Sequence, residues 1–544
     1  MRRNLQGLSV CVLGVGAFAI LYLQTGWCDH ACPSDFQVAV RLSLSAYRSF
    51  AGQVFALEYA NDYDVALQPV FLYYTPIVPA AGGVIQLATG LDPYRSVLIV
   101  VAAMALSTSC AIYFTSRLLG AGPMVSGCSA ATVAFSPYFL TDVFARGALT
   151  ELSAWAALPW VMFFLLKFCS RPRLGSGILL IASTALLILC HKIFLPWALI
   201  LFALLSLMLF GFRRVLVLAP ALALCVLGAL AVTAAYWANA LLMLPHLAVS
   251  TSINAPALAG LTANLNLFWP LPYMEELLAS RYSAFYLQLG PLIMLCLALS
   301  LLYLGDFRVR AFMSLTLAAS LVVCSFFVAQ GGWNYLPTQL TAIQFPYRLL
   351  IFATTFGTIL AALVFTSVAR SSPPYAAIGL AVAIAMLVGF YWSPSSVSGA
   401  SVPTSEARSA AFASHDYYEL DGPRPTVPVQ SSVPRSAIKA RGNAATATLQ
   451  IEREGLAVLP VQYSRLLQVT VDGKAAEPFD SDGLVSLVLP AGTVGISIER
   501  HESVGLITGP CFAVAFIVAL WLALRQFYRP RAPRAELIGA PGAA

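Results

Sequence analysis

Charged side chains are scarce in this sequence. Lys, Arg, Asp and Glu make up 10% of its 544 residues, whereas soluble domains carry about 25%. The mean hydropathy is +0.80, and 59% of the residues are hydrophobic. This shortage of charge excludes an ordinary soluble domain. It predicts a polytopic α-helical membrane protein.

The motifs of soluble enzymes are also missing. There is no Walker loop, no GxSxG motif and no dinucleotide-binding fingerprint. The five histidines are too dispersed along the chain for a zinc cluster, so no metal site is assigned to them. The net charge of +7 comes from basic residues scattered in short loops. We therefore expect no nucleic-acid partner.

Long apolar runs predict about twelve transmembrane helices. The first, near Gly7 to Trp27, has no small-residue cleavage site after it, so we interpret it as an uncleaved span. The predicted spans lie near 7–26, 96–116, 121–139, 150–168, 174–191, 194–211, 215–236, 288–304, 311–329, 349–369, 374–392 and 506–525.

Arginine and lysine predict the orientation of these spans. Every second connection is short and basic, and such loops stay in the cytoplasm. These basic residues are Arg2, Arg3, Arg117, Lys167, Arg171, Arg173, Arg213, Arg214, Arg308, Arg310 and Arg370, with Arg525, Arg529, Arg531 and Arg534 in the tail. Both termini are therefore predicted to be cytoplasmic, in a multi-pass protein of the cell membrane. The long connections 27–95, 237–287, 330–348 and 393–505 are then external.

The polar segment 393–505 is predicted to be a separate external domain. It follows the membrane domain 1–392, and it precedes the last span 506–525 and the cytoplasmic tail 526–544. A Ser/Pro/Gly-rich linker opens it, and short runs of alternating apolar and polar residues follow. The dipeptides Asp472-Gly473 and Asp482-Gly483 are hairpin signals. This pattern predicts an antiparallel β-sandwich; the alternative is an irregular loop.

The first external loop, 27–95, carries acidic residues where the first span leaves the membrane. Asp29 and Asp35 stand there, and an amphipathic stretch follows that suits a helix along the membrane surface. Such a carboxylate could act as a general base toward an acceptor hydroxyl, or could help hold a divalent cation. The alternative is a solvated loop acid. A disulfide between Cys28 and Cys32 stays open, because a four-residue spacing is geometrically awkward.

Three further stretches place polar residues, all candidates for substrate binding, at the predicted external ends of spans. Asp142, Arg146 and Glu151 surround the start of the span 150–168; helix capping is the alternative explanation for the acids. His191 and Lys192 end the span 174–191, where an ordinary membrane-edge arrangement is the alternative. The third stretch lies farther along the chain.

The segment "IQFPYR" precedes the span 349–369 and contains Gln344, Pro346 and Arg348. A helix N-terminus favours an anion, and an arginine fork added to it makes a phosphate or pyrophosphate clamp. The alternative is an interfacial anchor paired with lipid headgroups.

These motifs resemble those of a known family. "SDFQ" after the first span, "TDVFARGALTELSAWAALPW" and "IQFPYR" are similar to blocks in bacterial membrane proteins called 6-pyruvoyl-tetrahydropterin synthase-related, which resemble GT-C glycosyltransferases. The segments "LAVLPVQYSRLLQVTVDGK" and "LVLPAG" resemble the external domain of such proteins. Gln37 stands where the family has histidine, and the glycines before the Phe-Tyr-Pro-Pro segment are absent. No pterin site or zinc triad accompanies the resemblance.

The resemblance implies a GT-C-like fold and a sugar donor linked to polyprenyl phosphate, used at the external membrane face. It makes Asp35 the candidate catalytic residue and Arg146 and Arg348 candidate phosphate ligands, oriented by Glu151 and Gln344. The implied partners are the lipid-linked donor, membrane lipids, and a glycan or lipid acceptor of the cell envelope. The cofactor is unknown, with a divalent cation left open.

Two non-catalytic hypotheses compete with a glycosyltransferase. A lipid or polysaccharide transporter should carry ionisable residues at mid-membrane, whereas here they cluster at the predicted external edge, which favours the enzyme. A scaffold for envelope assembly with a degenerate site is compatible with the departures from the family pattern.

Overall fold

The computed structural model describes residues 2–24, 34–54, 59–61, 65–243, 288–328, 337, 340, 346–386, 429–441, 443–500, 518 and 521. Several predictions fall elsewhere. The Cys28–Cys32 pair, Asp29, Gln344, the linker after 393, nearly all of the span 506–525 and the tail 526–544 lie outside these residues.

The described part of the chain before residue 387 is helical. Its α-helices are α1 (Arg2–Gln24), α2 (Ser34–Ala51), α3 (Val70–Tyr73), α4 (Ile77–Thr89), α5 (Pro93–Leu118), α6 (Pro123–Ala131), α7 (Pro137–Leu140), α8 (Leu149–Ser170), α9 (Leu174–His191), α10 (Leu195–Phe210), α11 (Phe212–Val232), α12 (Ala234–Met243), α13 (Pro291–Ser300), α14 (Phe307–Val328), α15 (Leu350–Ser371) and α16 (Pro373–Met386). The described helices account for much of the predicted pattern of spans.

Five helical stretches among the described residues are long and apolar enough to cross a membrane. They are Pro93–Leu118, Leu149–Ser170, Leu174–Phe210, Phe212–Val232 and Tyr347–Ser371. This protein is therefore a membrane protein, as its composition indicates. The full number of twelve spans stays a prediction.

One predicted span differs from the structure. The stretch 121–139 is not a single helix. It divides into α6, a 3₁₀ turn at Thr132–Phe135, and α7. Ser136 is extended and Pro137 begins α7, and a proline disfavours the helical conformation in the residue before it. The prediction of one continuous span at 121–139 was therefore wrong at this break.

Helix α15 occupies the centre of the bundle, and the most apolar stretch of this helix is 100% buried inside the protein. It packs against α14, α13, α16 and α6. The most apolar stretch of α11 is only 28% buried, and Leu216 and Val217 of this helix are more than half exposed. An apolar exposed face suits contact with lipid. Helix α11 therefore lies at the periphery and α15 in the core.

Helices α5 and α8 lie side by side in the same direction. The C-terminal residues Arg117 of α5 and Lys167 of α8 line one cavity, so these ends lie together. The starts of both helices, near Pro93 and Leu149, are then at the opposite end of the bundle. We call these the α5–α8 start end and the α5–α8 finish end.

The segment 27–95, which we call the first external loop after its predicted topology, contains the predicted amphipathic helix. Helix α2 packs its apolar face, including Phe36 and Leu42, mainly against α4 and α5. Gln86 of α4 donates to Ser43 Oγ at 2.8 Å. A Cβ on Gly83 would lie 2.8 Å from the Tyr47 nitrogen, so glycine permits this close approach. The apolar face of α2 is thus covered by protein.

Residues 429–500 form the predicted β-sandwich. Its strands are β1 (Val429–Ser432), β2 (Lys439–Arg441), β3 (Ala444–Ile451), β4 (Gly455–Gln462), β5 (Leu467–Val471), β6 (Lys474–Ala476), β7 (Phe479–Ser481), β8 (Leu484–Leu489) and β9 (Gly492–Arg500). One sheet has the order β1-β4-β8-β7 and the other β2-β3-β9-β5-β6. Alternating apolar residues from both sheets share one core.

Both hairpin signals are confirmed. Asp472-Gly473 joins β5 to β6, and Asp482-Gly483 joins β7 to β8, with positive φ at all four residues. Two consecutive positive φ values are those of the type I′ turn. The purely antiparallel arrangement was wrong in one place, because β1 pairs with β4 in parallel. Between these strands the chain crosses to the other sheet for β2 and β3, and such a crossover permits parallel pairing.

The first external loop also enters the β-sandwich. Ala66 forms a parallel bridge with Val461, donating to the Pro460 carbonyl at 2.8 Å and accepting from the Gln462 nitrogen at 3.0 Å. Tyr59, Ala66 and Leu67 belong to the sandwich core. The loop thereby connects the β-sandwich to the helices.

Candidate functional site

The candidate site is built where the chain passes from α7 into α8. After α7, residues Thr141–Arg146 form one π-helical turn, a form that is common at functional sites. Gly147 follows with a φ of 64°, which glycine adopts without strain. The Ala148 nitrogen then donates to the Asp142 carbonyl at 2.9 Å. This turn sets Arg146 back against the first turn of α8, which carries Glu151.

Four charged side chains from two distant stretches meet here; we call them the ion-pair cluster, consisting of Asp142, Arg146, Glu151 and Arg348. Arg146 Nη1 lies 2.5 Å from Asp142 Oδ1 and 2.8 Å from Glu151 Oε2. Arg348 Nε lies 3.2 Å from the same Glu151 oxygen. Glu151 therefore links two guanidinium groups, and the four formal charges balance.

The cluster is nearly dry. The side chains of Asp142 and Glu151 are 0% and 1% exposed, that of Arg146 is 8% exposed, and that of Arg348 is 12% exposed. Buried charges need partners, because desolvation costs several kcal/mol per ion. Arg348 is therefore the most exposed member of the cluster.

Two tyrosines complete the cluster. Tyr138 donates a short hydrogen bond from its hydroxyl to Glu151 Oε1, and Arg146 Nη1 lies 3.5 Å from the same hydroxyl. The Arg146 guanidinium lies over the Tyr347 ring, 5.1 Å from its centre. These contacts fix the orientations of Arg146 and Glu151.

Asp142 is the most deeply buried acid of the cluster. Burial, and next the charge of Glu151, raise the pKa of the Asp142 carboxyl, while Arg146 acts in the opposite direction. Its Oδ2 atom is buried and has no hydrogen-bond partner within the part of the chain that the structure describes. Asp142 thus contacts the rest of the cluster through Oδ1, beside Arg146 Nη1.

The capping interpretation of these acids is not supported. The residue before α8, Ala148, makes no side-chain cap, and Asp142 lies in the π-helical turn. Glu151 is in the first turn of α8, but its carboxylate contacts Arg146, Arg348 and Tyr138. Both acids therefore belong to the ion-pair cluster, and neither caps a helix through its side chain.

Arg348 enters the cluster from the start of α15. Pro346–Leu349 form a 3₁₀ turn, and α15 begins at the next residue. The predicted position of Arg348 at the mouth of this helix is confirmed. Trp155 of α8 donates to Thr355 Oγ1 at 3.0 Å, which ties α8 to α15 just below the cluster.

His191 and Lys192 lie near the cluster without joining its ion pairs. His191 ends α9, its ring packs edge-on against Phe194 at 5.4 Å, and it is within electrostatic range of Arg146 and Arg348. The Lys192 Nζ lies 4.7 Å from the centre of the Tyr236 ring. The histidine is thus a neighbour of the cluster, while the lysine packs toward α12.

The backbone places Asp35 at the same end of the bundle. Asp35 is the second residue of α2, and the adjacent Phe36 packs against the Tyr94 ring at 5.7 Å. Tyr94 is in the first turn of α5, at the α5–α8 start end. Helix α2 also contacts the π-helical turn that carries Arg146. A shared cavity for Asp35 and Arg348 stays a prediction, as does the position of Gln344, which lies outside the described residues.

Sequence reasoning missed both tyrosines of the cluster, although signals were present. Tyr138 precedes Asp142 by four residues, and Tyr347 adjoins Arg348. No group of three or more His, Cys, Asp or Glu suited to a metal ion occurs among the described residues. The described part of the site carries two guanidinium groups, which are donors suited to an anion.

Comparison with known proteins gives weak similarity. No protein-family model and no curated protein matches this chain, so the family resemblance stays a prediction. Among solved structures, the apo oligosaccharyltransferase of Archaeoglobus fulgidus matches with a TM-score of 0.41 and 14% identity. The match covers 74% of this chain and 56% of that one.

A second solved structure, the arabinofuranosyltransferase AftD from Mycobacteria, matches with a TM-score of 0.40 and 16% identity. That match covers 80% of this chain and 29% of the other. This chain thus spans about half the length of the first neighbour and less of the second. TM-scores below 0.5 do not establish a common fold.

Proposed function

We propose that this protein is a membrane glycosyltransferase that moves a sugar from a polyprenyl-phosphate donor to an acceptor of the cell envelope. The observation that carries the proposal is the ion-pair cluster, in which one glutamate holds two arginines at one end of a helix bundle. In the twelve-span topology with both termini in the cytoplasm, this end is external. The motif resemblance to GT-C enzymes points to the same chemistry.

Arg348 is the proposed phosphate ligand. It is the most exposed member of the cluster and stands at the start of α15, where the backbone also favours an anion. Glu151 and the Tyr347 contact of Arg146 hold the two guanidinium groups in place before a ligand arrives. Arg146, which already contacts two carboxylates, acts as a positioning residue or as a second donor to the phosphate.

Asp35 is the proposed general base. In the transfer step the acceptor oxygen forms a bond to the anomeric carbon, and the bond from that carbon to the phosphate oxygen breaks. The acceptor proton passes to the Asp35 carboxylate, and the polyprenyl phosphate leaves with the electron pair. Arg348 stabilises the charge that grows on this leaving group.

The test is sugar transfer by the purified full-length chain, with donor binding measured in parallel. We expect Asp35→Asn to lower transfer by about 10²- to 10⁴-fold, the usual contribution of a general base, while donor binding persists. Arg348→Ala should weaken donor binding and slow transfer, and Arg348→Lys should restore only part of both, because the fork is lost.

The matched control is Asp92→Asn. Asp92 is an exposed acid at the same end, where it caps α5, and asparagine caps equally well. This variant should retain activity. Full activity of Asp35→Asn would contradict the assignment of the base. If the native protein binds no donor and Arg348→Ala only lowers stability, the results would favour a non-catalytic scaffold for envelope assembly.

A further inference from the structure

The α5–α8 finish end contains a second site, independent of the proposed transfer chemistry. A surface cavity of about 500 Å³ lies between the first turns of α1 and the last turns of α5 and α8. Glu151 and Lys167 are 16 positions apart on α8, so this cavity is roughly 24 Å from the ion-pair cluster. We call it the basic cavity. Two of its lining residues are Arg117 and Lys167.

The cations of the basic cavity have no acidic partner. Neither Arg117 nor Lys167 forms an ion pair with any residue in the described ranges. Asp306, the acid that a described loop supplies nearby, is already held by Arg308 through contacts of 3.0 and 2.8 Å. Arg308 in turn donates to the Leu119 carbonyl beside the end of α5. The cavity therefore keeps a net positive charge.

Arg117 is held in position but is not saturated. It donates to the Asn4 side chain at 3.0 Å and to the Ala121 carbonyl. Its Nε atom is buried and lacks a hydrogen-bond partner in the described part of the chain. An unpaired buried donor costs about 1–3 kcal/mol unless a ligand or solvent satisfies it. Hydrogen bonds to Asn4 and Ala121 thus fix the Arg117 guanidinium at the wall of the cavity.

Apart from Asn4 and Tyr113, the rest of the cavity lining is apolar. Leu5 and Leu8 of α1 form one wall, and Phe163 of α8 lies under the Lys167 ammonium at 5.5 Å. The wall of α1 is fixed, because Tyr113 donates to the Asn4 carbonyl at 2.7 Å. A Cβ on Gly7 would lie 2.2 Å from the Pro123 carbonyl oxygen, so α1 and α6 are in direct contact. Cations above an apolar wall match a ligand with a charged head and a hydrocarbon body.

We propose that the basic cavity binds one anionic phospholipid, with its phosphate between Arg117 and Lys167 and an acyl chain against Leu5 and Leu8. An arginine fork suits a phosphate, and a lysine adds a second charge. The predicted topology places this end at the cytoplasmic leaflet, where anionic lipids attract basic residues.

The test uses the full-length chain in a neutral detergent, with bound lipids counted by native mass spectrometry. We expect dioleoylphosphatidylglycerol to bind more tightly than dioleoylphosphatidylcholine, which has the same chains. Lys167→Gln should weaken the anionic lipid about fivefold, the effect of one cation near a membrane surface. Leu5→Trp should also weaken it by filling the cavity; Leu5 is 53% exposed, so the fold tolerates the larger side chain.

The matched control is Arg213→Gln. Arg213 is exposed at the start of α11, next to Arg214, which bonds to the last residues of α8 at the same end of the bundle. This variant should bind the anionic lipid as the native protein does. If Arg213→Gln weakens binding of the anionic lipid as much as Lys167→Gln does, the lipid is held by diffuse electrostatic attraction and not by a defined site. Equal binding of the two lipids, or complete displacement by inorganic phosphate, would also overturn the proposal.

Discussion

The two ends of the helix bundle treat their charges in opposite ways. At the α5–α8 start end, two acids and two arginines neutralise one another, and the most exposed of their side chains is 12% exposed. At the finish end, Arg117 and Lys167 line a cavity without an acidic partner. A dry site must balance its charges internally. At a solvent-exposed site on a membrane surface, anionic lipid can neutralise the basic side chains instead.

This difference predicts how each end of the bundle responds when one charged side chain is removed. In the cluster, Arg146 and Glu151 each contact two other members, so deleting either one leaves charges buried and unpaired. In the basic cavity, each cation contributes separately, and its loss should alter binding more than folding. The predictions below test this contrast in decreasing order of effect.

The largest effect should come from Glu151→Ala. This change strands both Arg146 and Arg348, and breaking a buried pair costs about 3–5 kcal/mol. Unfolding of the purified protein in detergent by heat or by a denaturing detergent would measure it. Lys167→Ala, at an exposed position, should change stability by at most about 0.5 kcal/mol. Equal losses in the two variants would remove the contrast between the ends.

An intermediate effect should come from removing one tyrosine hydroxyl at each end. Tyr138→Phe deletes a hydrogen bond to the Glu151 carboxylate, and such bonds to charged groups contribute about 1.5–3 kcal/mol. Tyr113→Phe deletes a bond to the neutral Asn4 carbonyl, for which we expect about 0.5–1.5 kcal/mol. The same unfolding measurement compares them. A larger loss in Tyr113→Phe would contradict the strength assigned to the cluster.

A smaller effect than those of Glu151→Ala and Tyr138→Phe should come from the backbone turns that serve both ends. Gly147 before α8 and Gly120 after α5 have φ values of 64° and 88°. Alanine at either position should cost roughly 1–2 kcal/mol, because the left-handed conformation crowds its Cβ. Gly16→Ala in α1, where nothing lies within 4 Å, is the control and should cost nothing. If Gly147→Ala is as stable as the control, the turn does not determine the cluster.

Local patterns in the sequence predicted much of this structure. Apolar runs marked the helices, and the period-2 alternation with Asp-Gly dipeptides marked the strands and both hairpins of the β-sandwich. Asp142, Arg146, Glu151 and Arg348 were recognisable because charges at the ends of apolar runs are costly and need a reason. Three ion pairs link these residues, and their role in binding a substrate stays a proposal. The transfer chemistry itself stays a proposal.

Features that depend on distant pairing could not be predicted in the same way. Tyr138 and Tyr347 stand in apolar surroundings, where an aromatic residue looks like any core residue until its hydroxyl or ring meets a charge. The parallel pairing of β1 with β4 depends on a crossover between sheets. Nothing local around Ala66 indicated that it pairs with β4.

The insertion of the first external loop into the β-sandwich has a consequence for the order of assembly. Arg441 donates to the Gly52 carbonyl, and these residues are 389 positions apart. Ribosomes add about 5–20 residues per second, so a nascent loop waits roughly 20–80 s for this partner. Tyr59 and Ala66 acquire their neighbours in the sandwich core only then. We expect the region that follows Asp35 to reach its final conformation among the last parts of the protein, after the helices that it covers.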